Sequence, residues 1–389
     1  MCGLVGYVGK NLAIDIAYKS LERLEYRGYD SSGIAYFNND KINVIKSEGL
    51  LKNLENQIDK NFNTHVAIGH TRWATHGKPS RINAHPHLSQ DGNIALVHNG
   101  IIENYENFKH DLKNMALVSE TDTEVIAEWL SLQLPPSYNE KQVLESLAKA
   151  CAKIKGSFAF GIIIKNIPDK IFFAKRKSPL IIGCGKDENF IASDIPAILP
   201  YINKVVYLKE NEIGYISKDK IKIFDLKLNE RNVYVKNVDL SSENVRLENF
   251  STYMEKEIAQ GSYAITNTIN KLKQNKVFEK LPKKKINIFN KQQSNFYIIA
   301  CGTALHAGMV AKYILERECR VPVSLDFASE FRYKKPVINK NTVCIFISQS
   351  GETADTLASL ELAKKQGAYC VAITNVLGSR ISQIANFVI

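Results

Sequence analysis

No apolar run in the 389 residues approaches the roughly 18 that a membrane span needs. Candidates such as Ser157–Ile164 and Val343–Ile347 are strand-sized. The first ten residues are apolar, but they lack a basic leader and a small-residue cleavage site, so a secretory signal is not expected. Cysteine is scarce: there are seven, an odd number with no tight spacing. That excludes a disulfide framework and points to the reducing cytoplasm. Repeats and low-complexity segments are missing. So is any basic patch interleaved with aromatics, and no nucleic-acid module is recognisable. Neither nucleic acid nor membrane is therefore expected as a partner.

What is present is ordinary globular material, 45% apolar and 23% charged. At about 150 residues per domain the length implies two or three domains. Lys and Arg number 51 against 40 Asp and Glu, a net charge of +11. Much of the excess is local. Lys271, Lys273, Lys276, Lys280, Lys283, Lys284, Lys285 and Lys291 face one acid, Glu279, and are read as a solvated helix end and linker.

To about residue 240 the chain is strand-rich. Cys2–Val8, Ser32–Phe37, Val66–Thr71, Ile94–His98, Ser157–Ile164 and Ile171–Ala174 are β-type runs. Asp15–Glu25, Asp122–Leu134 and Glu140–Ile154 show helical spacing. Strands that follow one another across turns suit antiparallel sheets with helices packed on them, an α+β layout. A helix is expected over Ser251–Lys276, broken by Pro282 and the lysines. From Phe296 strands and helices alternate: strands Phe296–Ala300, Val323–Asp326, Val343–Ile347 and Tyr369–Thr374, helices Ala304–Glu316 and Thr353–Gln366. That rhythm implies an α/β doubly wound parallel sheet. Phe387–Ile389 starts a further strand, so the sheet is expected to be incomplete.

Removal of Met1 would place the Cys2 thiol beside a free α-amine. An amine with a reference pKa of about 7.7–8.0 can take the thiol proton and return it to a leaving amine. The plain alternative is a small buried cysteine at a strand start. Around it the sequence offers complementary groups. In His70-Thr71-Arg72-Trp73-Ala74-Thr75-His76-Gly77, Arg72 suits a carboxylate and Trp73 could cover a small ligand. His98-Asn99-Gly100 offers an Asn side chain and the Gly100 backbone N–H as an oxyanion hole. In Thr121-Asp122-Thr123-Glu124, Asp122 is either a helix cap or a receiver for an ammonium group. Together these fit L-glutamine: carboxylate on Arg72, ammonium on Asp122, side-chain amide attacked by Cys2.

Those motifs, with Cys2–Tyr7, Tyr26-Arg27-Gly28-Tyr29-Asp30-Ser31-Ser32-Gly33 and Asn83-Ala84-His85-Pro86-His87, resemble the N-terminal-nucleophile (Ntn) class II glutamine amidotransferases. The resemblance implies an Ntn-hydrolase αββα sandwich, Cys2 as nucleophile, and Asn99 and Gly100 as oxyanion hole. It implies Arg72, Thr75, His76, Gly100 and Asp122 around glutamine, with Trp73 as a gate. Arg27 and His85 are read either as supports of that site or as a turn ion pair and a packed histidine.

A second site is expected where strand Val343–Ile347 gives way to Ser348-Gln349-Ser350-Gly351-Glu352-Thr353 before a helix. Hydroxyls and helix-start N–H groups at the carboxyl end of a parallel strand suit an anion. Without a P-loop lysine, a sugar monophosphate fits better than a triphosphate. The alternative is a capping box with ordinary serines. Cys301-Gly302-Thr303, Ala328–Tyr333 and Ser348–Thr356 resemble a sugar isomerase (SIS) domain, which implies Thr303, Ser348, Gln349, Ser350 and Thr353 as holders of fructose 6-phosphate. Ala304 departs from the serine that many relatives carry there.

The two domains in tandem resemble the amidotransferases that move glutamine nitrogen to fructose 6-phosphate, giving glucosamine 6-phosphate for amino-sugar synthesis. Ammonia would cross an internal channel. No cofactor and no metal are called for, and a homodimer is implied for the full-length enzyme. The expected layout is a glutaminase over 2–240, a helical, basic linker over 241–285 and a truncated first SIS domain over 286–389. Such a chain is expected to be competent for glutamine hydrolysis only. A phosphoribosyl-transferring relative would need an Asp-Asp pair, and an asparagine-synthetase type an S-G-G-x-D-S loop; the sequence has neither. A sugar-phosphate sensor would leave the Cys2 constellation without a purpose.

Overall fold

The computed structural model describes all residues except 1, 59–62, 75–76, 113–114, 239–249, 251–252, 281–294 and 377. It divides into Met1–Asn249 and Phe250–Ile389.

The first unit runs β1 (Gly3–Gly9), α1 (Ala13–Glu22), β2 (Ser31–Asn38), β3 (Lys41–Glu48), α2 (Lys52–Glu55), β4 (Val66–Arg72), β5 (His87–Leu88), β6 (Ile94–Ile102) and α3 (Tyr105–Asp111). It continues with α4 (Asp122–Gln133), α5 (Glu140–Lys153), β7 (Gly156–Ile164), β8 (Ile167–Arg176), β9 (Ile181–Cys184), β10 (Glu188–Ala192) and β11 (Lys204–Tyr207), then β12 (Glu212–Ser217), β13 (Ile221–Phe224), β14 (Glu230–Arg231) and β15 (Lys236–Asn237). One sheet is ordered β15-β11-β9-β10-β1-β4-β2-β3, the other β14-β13-β12-β8-β7-β6-β5. The ladders in both are antiparallel.

Three apolar layers hold this unit together. Leu4, Val8, Ile68, Val97, Ile163 and Phe173 are buried between the sheets. Ile14, Ala17 and Leu21 of α1, spaced three and four apart, pack with Tyr7 and Phe190 on the outer face of the first sheet. Val125, Trp129, Leu144 and Leu147 of α4 and α5 cover the second with Phe158 and Phe160. The result is the four-layer αββα sandwich.

Two boundaries near Cys2 differ from expectation. β6 does not stop at His98: Asn99 and Gly100 pair with Ala159 and Phe158 of β7 inside the strand. Their polarity reads as a strand end, but partners inside the site satisfy it. The first helix ends at Glu22, and a 3₁₀ turn over Glu25–Arg27 follows.

The second unit holds α6 (Tyr253–Ala259), α7 (Gly261–Gln274), β16 (Asn295–Ala300), α8 (Gly302–Ile314), β17 (Val323–Phe327) and α9 (Ala328–Phe331). It ends with β18 (Thr342–Ile347), α10 (Ala354–Lys365), β19 (Tyr369–Ile373), α11 (Arg380–Ile384) and β20 (Phe387–Val388). The expected single helix over 251–276 is divided at Gln260. Lys271 and Lys273 lie in the last turn of α7, where the helix dipole favours cations. Pro282 and Lys283–Lys291 lie outside the described residues. The sheet is parallel, ordered β17-β16-β18-β19-β20. After β16 the chain goes first to one side (β17) and then to the other (β18), so the strand order reverses between β16 and β18. A crevice opens at such a reversal, at the carboxyl ends of the strands.

Candidate functional site

Cys2 immediately precedes β1, an interior strand flanked by β10 and β4. The Trp73 N–H donates to its Sγ at 3.3 Å, and the thiol reaches the Trp73 carbonyl at 3.5 Å. Burial of the sulfur pushes the thiol pKa up; the Trp73 N–H and the positive charges of the chain start, Arg72 and Arg27 pull the other way. The Cys2 carbonyl accepts from Arg27 Nε at 3.2 Å and from Asn99 Nδ2 at 3.2 Å.

The Tyr26–Gly33 motif supports this end of the strand. Arg27 pairs with Asp194 at 2.7 Å, and Tyr26 donates to the same carboxylate. Asp30 accepts the Ala74 N–H at 2.8 Å and so fixes the loop that follows Trp73. Gly28 runs against that loop so closely that a Cβ there would lie 2.8 Å from the Trp73 nitrogen.

Arg72 closes β4 and is buried. Its guanidinium donates to the Gly77 carbonyl at 3.2 Å. Burial lowers its pKa, while the fields of Cys2, Asp122, Asp30 and Glu120 favour its charge. Trp73, 46% exposed, stands edge-on to Tyr29 at 5.7 Å.

Asp122 is the first residue of α4, but the cap is Thr121, whose hydroxyl accepts from Glu124 N. The Asp122 side chain is instead buried beside β6, accepting from Ile102 N at 2.8 Å and Thr123 Oγ1 at 3.2 Å. Gly100 sits at φ +133°, and a Cβ there would lie 2.1 Å from the Ser157 carbonyl. Only glycine fits that point of the strand.

Cys2, Arg72, Trp73, Gly100 and Asp122 line one narrow cleft, with His85, His98 and Thr121. Asn99 adjoins it through the Cys2 carbonyl. Thr75 and His76 lie outside the described residues. Sequence reasoning assigned His70 no separate role. Its Nε2 lies 2.9 Å from Asn99 Oδ1 and 2.9 Å from the His98 carbonyl. No local signal reports that contact, because it joins β4 of one sheet to β6 of the other. His70 and His87 join the cleft-lining His85 and His98 in a buried imidazole layer, with ring centroids 4.4 Å apart for His70–His85 and 5.0 Å for His85–His87. Burial lowers the pKa of His70 to about 3 and those of His85 and His87 well below the usual histidine range.

In the second unit, Thr303 lies in the first turn of α8 at the end of β16, and Ser348–Thr353 connects β18 to α10. Both segments follow the carboxyl ends of β16 and β18, the two strands between which the order reverses. Ser348 Oγ accepts from Gly351 N at 3.1 Å and meets Thr353 Oγ1 at 3.2 Å. Ser350 Oγ accepts from Glu352 N at 3.2 Å. Gln349 is exposed, and its carbonyl accepts from Asn375 N. Thr353 precedes α10 without making a side-chain cap, so the capping-box alternative does not describe this loop.

By fold, the first unit is an Ntn-type amidotransferase sandwich and the second a SIS-type parallel sheet. Residues 70–200 match the glutamine amidotransferase domain model and residues 288–389 the SIS domain model. The chain thus carries the two domains in that order. Along its length it resembles enzymes named glutamine--fructose-6-phosphate aminotransferase (isomerizing). That of Clostridium acetobutylicum is 43% identical over 394 residues, covering 99% of this chain and 63% of the relative. That of Caldanaerobacter subterraneus subsp. tengcongensis is 45% identical over 395 residues, covering 100% and 64%. The chain therefore spans slightly under two thirds of the length of these relatives. A solved glutamine phosphoribosylpyrophosphate amidotransferase from B. subtilis aligns with a TM-score of 0.52 at 18% identity, covering 100% of this chain and 90% of that one. That likeness is one of fold.

Proposed function

We propose that the chain hydrolyses L-glutamine at Cys2 and, within the enzyme type it resembles, supplies the ammonia that converts fructose 6-phosphate to glucosamine 6-phosphate in the cytoplasm. We assign residues 2–240 to the glutaminase, 241–285 to a connector and 286–389 to the SIS domain. The observation that carries the reading is the meeting of thiol, carboxamide, guanidinium and carboxylate around one cleft. With Met1 removed, the α-amine takes the thiol proton and Sγ attacks the side-chain amide carbon of glutamine. Asn99 Nδ2 and the Gly100 N–H receive the oxyanion. The C–N bond breaks, ammonia leaves with the proton from the α-amine, and water cleaves the thioester to glutamate. Arg72 holds the α-carboxylate and Asp122 the α-ammonium, while Trp73 covers the bound substrate. Thr303, Ser348, Gln349, Ser350 and Thr353 hold the sugar phosphate at the strand-order reversal. In the test, chain verified to begin at Cys2 is incubated with glutamine and glutamate release is followed. Cys2→Ala and a form retaining Met1 are expected to release none; undiminished release by Cys2→Ala refutes the reading.

A further inference from the structure

We propose that His70 is a positioning residue for the glutaminase reaction: as the neutral Nε2–H tautomer, it fixes which end of the Asn99 carboxamide faces Cys2. The inference rests on the oxyanion role proposed for Asn99 and deepens it.

The two ends of a carboxamide have nearly the same shape, so its orientation is set by hydrogen bonds. His70 Nε2 lies 2.9 Å from Asn99 Oδ1 and 2.9 Å from the His98 carbonyl oxygen. The carbonyl can only accept, so Nε2 carries the hydrogen and shares it between the two oxygens. A neutral imidazole has one N–H, which leaves Nδ1 bare. Nδ1 is indeed buried and has no hydrogen-bond partner. A bare nitrogen costs less there than an unpaired N–H would. Burial keeps the ring neutral, with its pKa pushed down to about 3.

With Oδ1 engaged by His70, Nδ2 must face the other way, where it donates to the Cys2 carbonyl at 3.2 Å. A flipped carboxamide would meet two conflicts at once. Its NH₂ would face the His70 N–H, and its oxygen would face the Cys2 carbonyl. The imidazole therefore keeps a donor, not an acceptor, beside the nucleophile. Removing His70 frees Asn99 to turn and lose the arrangement that stabilises negative charge, without touching the groups proposed to bind glutamine. The cost falls on turnover and not on substrate affinity.

The test uses the chain from Cys2 to Ile389, with its start verified. His70→Leu removes the donor; His70→Gln returns an N–H near the position of Nε2. Relative to the wild type, His70→Leu is expected to lower kcat for glutamine hydrolysis ~10- to 100-fold with KM within about threefold, the loss expected for one oxyanion donor or somewhat less. His70→Gln is expected to recover most of it. Asn99→Ala separates the two readings. If it leaves kcat unchanged, the oxyanion role of Asn99 is wrong. If it lowers kcat strongly while a folded His70→Leu does not, the role of His70 is wrong. Nitrogen-15 NMR of the histidine rings in the unmodified chain is independent of how the variants fold. A proton on Nε2 of His70 is expected, and a proton found on Nδ1 overturns the proposal.

Discussion

Arg27 and Asp194 form a 2.7 Å ion pair with both side chains largely buried, and the same guanidinium donates to the Cys2 carbonyl. A pair 167 residues apart in sequence thus fixes the backbone of the residue proposed as nucleophile. Breaking such a pair leaves a charge unpaired, at a cost of about 3 kcal/mol. Arg27→Met is expected to lose about that much stability in urea titrations and to lose glutaminase turnover. Asp194→Asn keeps the contact to the Cys2 carbonyl, so at comparable loss of stability it should retain more turnover. Equal losses of turnover would show that the link to Cys2 does not matter.

The proposed function gives Arg72 the carboxylate of glutamine and not the reacting amide. A hydrogen bond to a charged group contributes about 1.5–3 kcal/mol. Arg72→Ala should therefore raise KM for glutamine roughly 10- to 100-fold and lower kcat at saturation much less. Steady-state kinetics decide; unchanged values of both contradict the assignment.

The buried imidazoles are expected to make the first unit acid-labile. His70, His85 and His87 have folded-state pKa values below that of a free histidine, about 6.5. Below that pH the unfolded chain binds protons that the native state refuses, so stability falls as pH falls. With three such groups the slope approaches about 4 kcal/mol per pH unit. Urea midpoints for this unit should be level from pH 8 to 7 and drop between pH 6.5 and 5. His87→Phe should flatten the drop by about a third. A midpoint constant to pH 5 would show that these rings titrate normally.

Fructose 6-phosphate should slow proteolysis at the Ser348–Thr353 loop, whereas fructose should not. The comparison isolates the phosphate, for which hydroxyls and helix-start N–H groups are suited. Equal cleavage with and without the phosphosugar would leave no support for that site.

Much of this architecture is legible in the residues. β1, β4 and β7 are buried on both faces and read as apolar runs. The helices α4 and α5 begin at Thr121 and Asn139 caps that sequence chemistry favours. β3 was missed because it is an edge strand, Lys-Ile-Asn-Val-Ile-Lys-Ser-Glu, charged at both ends and only partly buried. The site residues are legible as types, since thiol, guanidinium, carboxamide and carboxylate each imply a partner. Their mutual geometry is not. That Asp122 turns to the β6 backbone depends on how α4 lies on its sheet, and that His70 meets Asn99 depends on how one sheet lies over the other. No periodicity within a single strand encodes that.

The place of β1 has a consequence for biogenesis. Its neighbours are Val66–Arg72 on one side and Glu188–Ala192 on the other, so one edge of β1 stays unpaired until Ala192 has left the ribosome. On the proposed mechanism, a peptidase that exposes Cys2 would have that interval in which to act on a loose end. Once the later strand docks, the same end is threaded into the middle of a sheet.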